Sequence, residues 1–252
     1  MNTIAAGLIA ASCLCGAARA QQVPESGRWQ DLRYTAADVD NRMEDRYIDQ
    51  TVELAAEGRL DEDRVLLARL QRIGAGIIAA AIAMKPAAAQ WQWEVHTTGD
   101  PNVDAYCMAG GKILVGSAFV RALALDDGEL ATLLAHEVAH AVAEHPRETL
   151  SEAMYLIHQP DVPLEVTMER LDSDLSLQIK LAGLSNLQES EADQLGMVLA
   201  HRAGWPAASM VSFYRKLAQG DQPSMVEDDH PAPASRLSMA KGMALLFEPP
   251  RP

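Results

Sequence analysis

Cysteine is scarce, with three in 252 residues at Cys13, Cys15 and Cys107, too few for a disulfide framework. Aromatic residues make up only 5%, and basic residues are outnumbered 35 to 21, for a formal charge of −14. That balance leaves no electrostatic footprint for nucleic acid or an anionic lipid surface. The 48% hydrophobic and 22% charged content is ordinary for a globular chain and excludes disorder and collagen-like repeats. No self-similarity recurs at 20 to 50 residues, so repeat architectures are set aside. Beyond the N-terminus there is no long apolar run either. The longest, Ile73 to Met84, stops at Lys85-Pro86 after about twelve residues, which suits a buried helix and is too short for a membrane span.

Residues 4–18 are almost wholly apolar or small, and Ala18-Arg19-Ala20 before Gln21 has the form of a signal peptidase site. Residues 1–20 are therefore expected to be a removable signal peptide, although Met1-Asn2-Thr3 carries no Lys or Arg. The rival is lipidation at Cys13 after Ala11-Ser12, weakened by Ala10 where a lipobox usually has Leu. Cleavage after Ala20 is preferred, and a lipid anchor in the outer membrane is the lesser alternative. Cys107 then remains as a single thiol, which cannot form an intrachain disulfide and reads as a small buried strand residue.

Helical periodicity covers residues 36–58 and 61–84, the latter through Leu66, Leu67, Leu70, Ile73, Ile77 and Ile78. Residues 21–64 are accordingly expected as an N-terminal helical segment. Trp91 to Thr97 alternates as a strand does, and Asp104 to Gly116 reads as strand, Ala109-Gly110-Gly111 turn and strand. Asp126 and Glu129 have capping-box spacing, which starts a helix running to about His145. A second strong helix is expected from about Asn186 to Ala203. Residues 150–185 are expected to be helical with a loop at 160–163, 218–235 loop-rich, and 248–252 a frayed end.

Inside the first of those helices lies His136-Glu137-Val138-Ala139-His140. Two His at i and i+4 sit about 40° apart around a helix, so both imidazoles can face one metal ion. Glu137 borders that face, where it can deprotonate a metal-bound water. Two helical surface histidines are the bland alternative to a metal site. For a third ligand, Ala143 and Pro146 stand where a metzincin has Gly and His, so that class is excluded. Glu189-Ser190-Glu191-Ala192-Asp193 offers another solution: Glu189 and Asp193 share a face, so Glu189 can ligate while Asp193, a turn away, hydrogen-bonds a ligating imidazole and fixes its tautomer. An acidic helix N-terminus would explain the acids there but not their pairing with the histidines. His145, about 140° round from His140 on one continuous helix, is expected to point away from the metal. His96 and His158 have no evident partner, and His201 suits a helix C-terminus.

HEVAH, ESEAD, the preceding AYCMAGGKILV and the later HPAPASR together resemble the zinc metallopeptidase family that includes HtpX and the CAAX prenyl endopeptidases. The resemblance covers roughly residues 65–240 and is strongest to the short LoiP/YggG-like members, with BepA-like members also similar. It implies an α+β, mostly helical, zincin-like domain over residues 65–252, with a small sheet whose edge strand lines the active-site cleft. It also implies one Zn2+ per chain on His136, His140 and Glu189, with Glu137 as general base and Asp193 behind the ligands. His230 would approach the zinc, as a latent fourth ligand or a substrate-stabilising group, and Arg236 would stabilise the site or the oxyanion. Ala105, Tyr106, Cys107 and Met108 would bind substrate as an added strand. Two positions depart from the family: Ala139 stands where Gly is usual, and Asp104 where Asn is usual.

The resulting expectation is a zinc-dependent endopeptidase acting on misfolded or unassembled envelope proteins, with Glu137 activating a zinc-bound water. Its substrates would be unfolded or extended polypeptides. Its setting would be the periplasm, with no transmembrane span in the mature chain, no nucleic acid, and room for an outer-membrane protein partner. The alternative is a zinc-bound chaperone-like or latent binding module without routine proteolysis.

Overall fold

The computed structural model describes residues 19–158, 162–219 and 231–247. The chain opens with β1 (Arg19–Gln22) and β2 (Trp29–Leu32), then α1 (Ala36–Ala56), α2 (Arg64–Met84) and a short 3-10 turn at Pro86–Gln90. Strands β3 (Glu94–Thr98), β4 (Ala105–Met108) and β5 (Lys112–Gly116) follow, and α3 (Ser117–Ala122) leads into α4 (Asp127–Val142). The rest is helical: α5 (His145–Leu156), α6 (Leu164–Ser173), α7 (Leu175–Arg202), α8 (Ala207–Gln219) and α9 (Pro233–Phe247). This is the α+β, mostly helical architecture expected, with a sheet too small to enclose a core of its own.

The molecule is built around α4. Asp126 caps it by accepting from Glu129 N–H while the Glu129 carboxylate accepts from Asp126 N–H, both at 2.9 Å. Leu130, Leu134, Val138 and Val142 are buried, and so are Ala131, Ala135 and Ala139 between them, because helices and sheet surround α4. A helix apolar over most of its circumference belongs in a core. Its small residues also let neighbours come close. One such approach is Gly196 of α7, where a Cβ would stand 2.9 Å from both Cα and N of His136.

In the three-stranded sheet β5 is central, parallel to β3 and antiparallel to β4. One face, through Leu114, Tyr106 and Met108, meets Tyr47 and Leu54 of α1. The other, through Cys107, Ile113 and Val115, packs into the core that holds α2 and α4. Strand β4 is therefore an edge. Among the described residues α2 is the one helix long and apolar enough to cross a membrane. Its stripe of Leu66, Leu70, Ile73, Ile77 and Ala81 lies in the core cluster with α4.

Three expectations change. Residues 21–64 do not begin as a helix: β1 and β2 pair as an antiparallel hairpin. Its tight turn uses positive φ at Glu25 and Gly27, and its inner face buries Gln30 and Leu32. The helix expected from Asn186 starts at Leu175 and runs 28 residues. The helix expected to reach His145 ends at Val142, because Glu144 takes the left-handed conformation (φ 56°) and α5 begins afresh with Pro146 in its first turn.

Candidate metal centre

Helix α4 carries His136, Glu137 and His140, and α7 crosses it at the glycine contact, bringing Glu189 and Asp193 over the histidines. Nε2 of His136 lies 3.3 Å from Nε2 of His140. The Glu189 carboxylate spans both rings, with Oε2 3.4 Å from His136 Nε2 and Oε1 3.3 Å from His140 Nε2. Two imidazoles and a carboxylate form a catalytic zinc donor set, and bonds of about 2.0–2.1 Å in a tetrahedron put donors about 3.3–3.4 Å apart. The imidazole spacing fits a zinc-sized ion, and with one donor atom from each residue the three lie within 4.8 Å of one another, a cluster able to hold a metal.

Each imidazole is tied from behind. His136 Nδ1 faces Asp193 Oδ1 at 3.0 Å. Asp193 is almost wholly buried and accepts three further bonds: Tyr214 Oη–H at 2.9 Å, and the Arg236 fork through Nε at 2.8 Å and Nη2 at 2.6 Å. Burial opposes the charged form of His136, but its bonds to Asp193 and Glu189 outweigh that and raise the imidazole to about 10. Burial likewise opposes the Asp193 carboxylate, yet His136 and Arg236 bring it down to about 2. The field at the cluster thus favours positive charge.

The cluster opens into a cavity of about 510 Å³, also lined by Glu137, Arg236 and, from the edge strand, Ala105, Tyr106 and Cys107. Met108, grouped with them in the sequence, packs instead against the α1 side of the sheet. The Asp104 carbonyl accepts from Gly116 N–H at 2.7 Å. Antiparallel alternation then turns the backbone groups of Ala105 and Cys107 outward, toward the open edge. Burial, with Glu137 nearby, pushes the Cys107 thiol well above its usual value, which suits a packed thiol rather than a nucleophile. Arg236, expected to stabilise the site or the oxyanion, directs its fork at Asp193. His230 and residues 1–18 lie outside the described residues.

Tyr214, His145 and Glu191 belong to the site and were not found by sequence reasoning. His145 does not point away from the metal: its Nδ1 lies 3.0 Å from Nδ1 of His140, and its Nε2 lies 3.1 Å from Glu191 Oε2. Residue 145 is not on one continuous helix with His140, and the break at Glu144 turns the ring back. Pro146 was the available signal, because proline suits the first turn of a new helix and breaks an old one. Glu191 sits between Glu189 and Asp193 but faces the hairpin, where Arg28 donates to it through Nε at 3.1 Å and Nη2 at 2.8 Å.

The sequence pattern of peptidase family M48 matches residues 66–244. Over 146 residues the chain is 31% identical to the mitochondrial metalloendopeptidase OMA1 of Arabidopsis thaliana, covering 57% of this chain and 30% of that protein. It is 26% identical over 230 residues to the beta-barrel assembly-enhancing protease of Yersinia pestis, covering 84% and 45%. The protease of that name from Escherichia coli K12 is 23% identical over 229 residues, covering 82% and 44%. The chain spans less than half the length of these curated relatives.

Proposed function

The chain belongs to peptidase family M48 and carries that family's metallopeptidase domain, and on this premise we propose that it is a zinc endopeptidase of extended polypeptides. The observation that carries the reading is the cluster of His136, His140 and Glu189, with the two Nε2 atoms 3.3 Å apart and one Glu189 oxygen 3.3–3.4 Å from each, facing a cavity bordered by an open strand edge. Zinc held there supplies Lewis acidity to the scissile carbonyl and to the attacking water.

The remaining work falls to this chain's own residues. An extended substrate lies along β4, its backbone paired with the outward N–H and C=O groups of Ala105 and Cys107, which lays a peptide bond beside Glu137. A Glu137 carboxylate oxygen takes a proton from the attacking water and returns it to the leaving nitrogen. Asp193 holds the proton on His136 Nδ1, so that Nε2 keeps its lone pair, and Arg236 and Tyr214 hold Asp193. An edge strand selects for unpaired backbone, which favours unfolded segments over folded surfaces.

The M48 match over residues 66–244 supports reading residues 65–252 as the peptidase domain with 21–64 ahead of it; the apolar run of residues 4–18 and Ala18-Arg19-Ala20 support 1–20 as an export signal. That signal, and the similarity to proteases named for beta-barrel assembly, support a periplasmic setting with misfolded or unassembled envelope proteins as substrates.

The test is cleavage of a permanently unfolded protein, such as reduced carboxymethylated casein, by the zinc-loaded chain and by Glu137→Gln. Loss of a general base is expected to lower the rate by about 10²–10⁴-fold while zinc stays bound. Equal cleavage by both proteins refutes the role of Glu137. Binding without cleavage by either points to the latent or chaperone-like alternative.

A further inference from the structure

The acids on one stretch of α7 are divided between the two imidazoles of the cluster. Asp193 reaches His136 directly. His140 is backed by His145, 3.0 Å away Nδ1 to Nδ1, and behind His145 lies the Glu191 carboxylate at 3.1 Å from Nε2. Glu189, Glu191 and Asp193 are spaced i, i+2 and i+4, so Glu191 lies about 160° round the helix from Glu189 and cannot meet the cluster itself. The first turn of α5 lies on that far side, which is why its ring can bridge the gap.

We propose that His145 and Glu191 are positioning residues for His140, and that Arg28 of the N-terminal hairpin locks them in place. The proposal rests on reading His136, His140 and Glu189 as metal ligands. Its chemistry follows from proton placement. For His140 to offer a lone pair at Nε2, its proton must sit on Nδ1. His145 Nδ1 accepts that hydrogen bond when its own proton is on Nε2, and Glu191 accepts the bond from Nε2–H. One arrangement of protons therefore satisfies all three groups, and it is the one that presents His140 Nε2 to a metal. An acid backing a ligating imidazole also raises its basicity.

The outer end of this chain is held as firmly as the inner one. Arg28 donates to Glu191 and also to Glu148, with Nη2 at 2.8 Å from Glu148 Oε2. Glu148 is fixed in turn by the amides of Gln30 and Gln188, each at 2.9 Å, and Ser26 bonds the other Glu191 oxygen. His145, Glu148 and Glu191 are all buried, and a buried carboxylate needs such partners. The β-hairpin thereby reaches the metal centre through four side chains, although none of its residues lines the cavity.

The test compares His145→Phe, His145→Gln and Glu191→Leu with the wild-type chain. Zinc affinity is measured by chelator competition, and ligand geometry by the visible spectrum of the cobalt-substituted protein. Phe fills the space of the imidazole without accepting from His140, whereas the Gln carbonyl can accept. Loss of such a backing group typically weakens metal binding by about 10–100-fold, so His145→Phe is expected in that range with an altered cobalt spectrum. His145→Gln should recover most of the affinity, and Glu191→Leu should weaken binding by about tenfold. Zinc affinity of His145→Phe within about threefold of wild type, with an unchanged cobalt spectrum, overturns the proposal; so does a His145→Gln variant no better than the Phe variant. If His145→Phe does not fold, Glu191→Leu decides, since unchanged affinity there refutes the relay. A wild-type chain that binds neither zinc nor cobalt refutes the metal-site reading on which the relay stands, an outcome separate from failure of the relay itself.

Discussion

Replacing Gly196 by Ala sets two contributions of opposite sign against each other. Helix propensity alone predicts a gain of about 1 kcal/mol, because glycine in a helix interior is unfavourable relative to alanine. The packing predicts a loss. A Cβ at 196 would stand 2.9 Å from His136 Cα and N and 3.1 Å from the Ala135 carbonyl carbon, all of them backbone atoms of the central helix. Ordinary contact needs about 3.5–4.0 Å between carbons, so α7 must withdraw from α4 by roughly 0.5–1 Å. Overpacking of that kind costs about 1–3 kcal/mol, which exceeds the propensity gain over most of its range. Asp193 lies three residues away, about 4.5 Å along the axis, and Glu189 about 10 Å, so both carboxylates move with the helix. A shift that stretches the 3.0 Å Asp193–His136 contact weakens the pairing that holds the His136 ring. Gly196→Ala is therefore expected to be less stable than wild type by urea denaturation and to bind zinc about 10–100-fold more weakly by chelator competition. A variant at least as stable as wild type with the same zinc affinity would refute the claim that this contact positions the site.

Two further outcomes concern groups around the centre. Asp40, half-buried and close to Glu144, is raised from 3.8 to about 6, chiefly by burial, with Glu144 adding to it. The native carboxyl keeps its proton up to about pH 6 while the unfolded one loses it near 3.8, so the native state binds more protons between those values and loses stability as pH rises through them. Asp40→Asn should melt higher than wild type at pH 7.5 and alike at pH 4, and an equal difference at both would refute the assignment. Arg236→Gln removes one partner of a buried ion pair, which typically costs about 3–5 kcal/mol, and should weaken zinc binding as well. If Arg236 served the oxyanion alone, its loss would lower kcat and leave thermal stability and zinc affinity as they were.

What could be read from the sequence was set by short-range physics. The Asp126–Glu129 cap, the start of α4 and the placement of His136, Glu137 and His140 on one face follow from residues within two turns of each other. The edge strand and its Gly110-Gly111 turn were legible because both glycines occupy positive φ, which marks a turn between two alternating runs. The first half of α7 was not. Leu177 and Leu181 face inward, but Leu175 and Ile179 beside them are exposed, so no clean apolar stripe marks the helix before Asn186. The hairpin strands have four residues each, too few for alternation to stand out from chance.

His145 shows where such reasoning stops. A helical-wheel angle carries information only inside one helix, and between His140 and His145 the chain leaves α4, passes through Glu144 in the left-handed region and starts α5. Glu144 tolerates that conformation because its carboxylate is held by the side chains of Gln21, Lys85 and Arg147, contributed by the hairpin, by the end of α2 and by α5 itself. None of those partners is near it in sequence except Arg147. The direction of the His145 ring is therefore decided by contacts up to 123 residues away, and the same long-range contacts that bend the chain there bring a third imidazole to the back of His140.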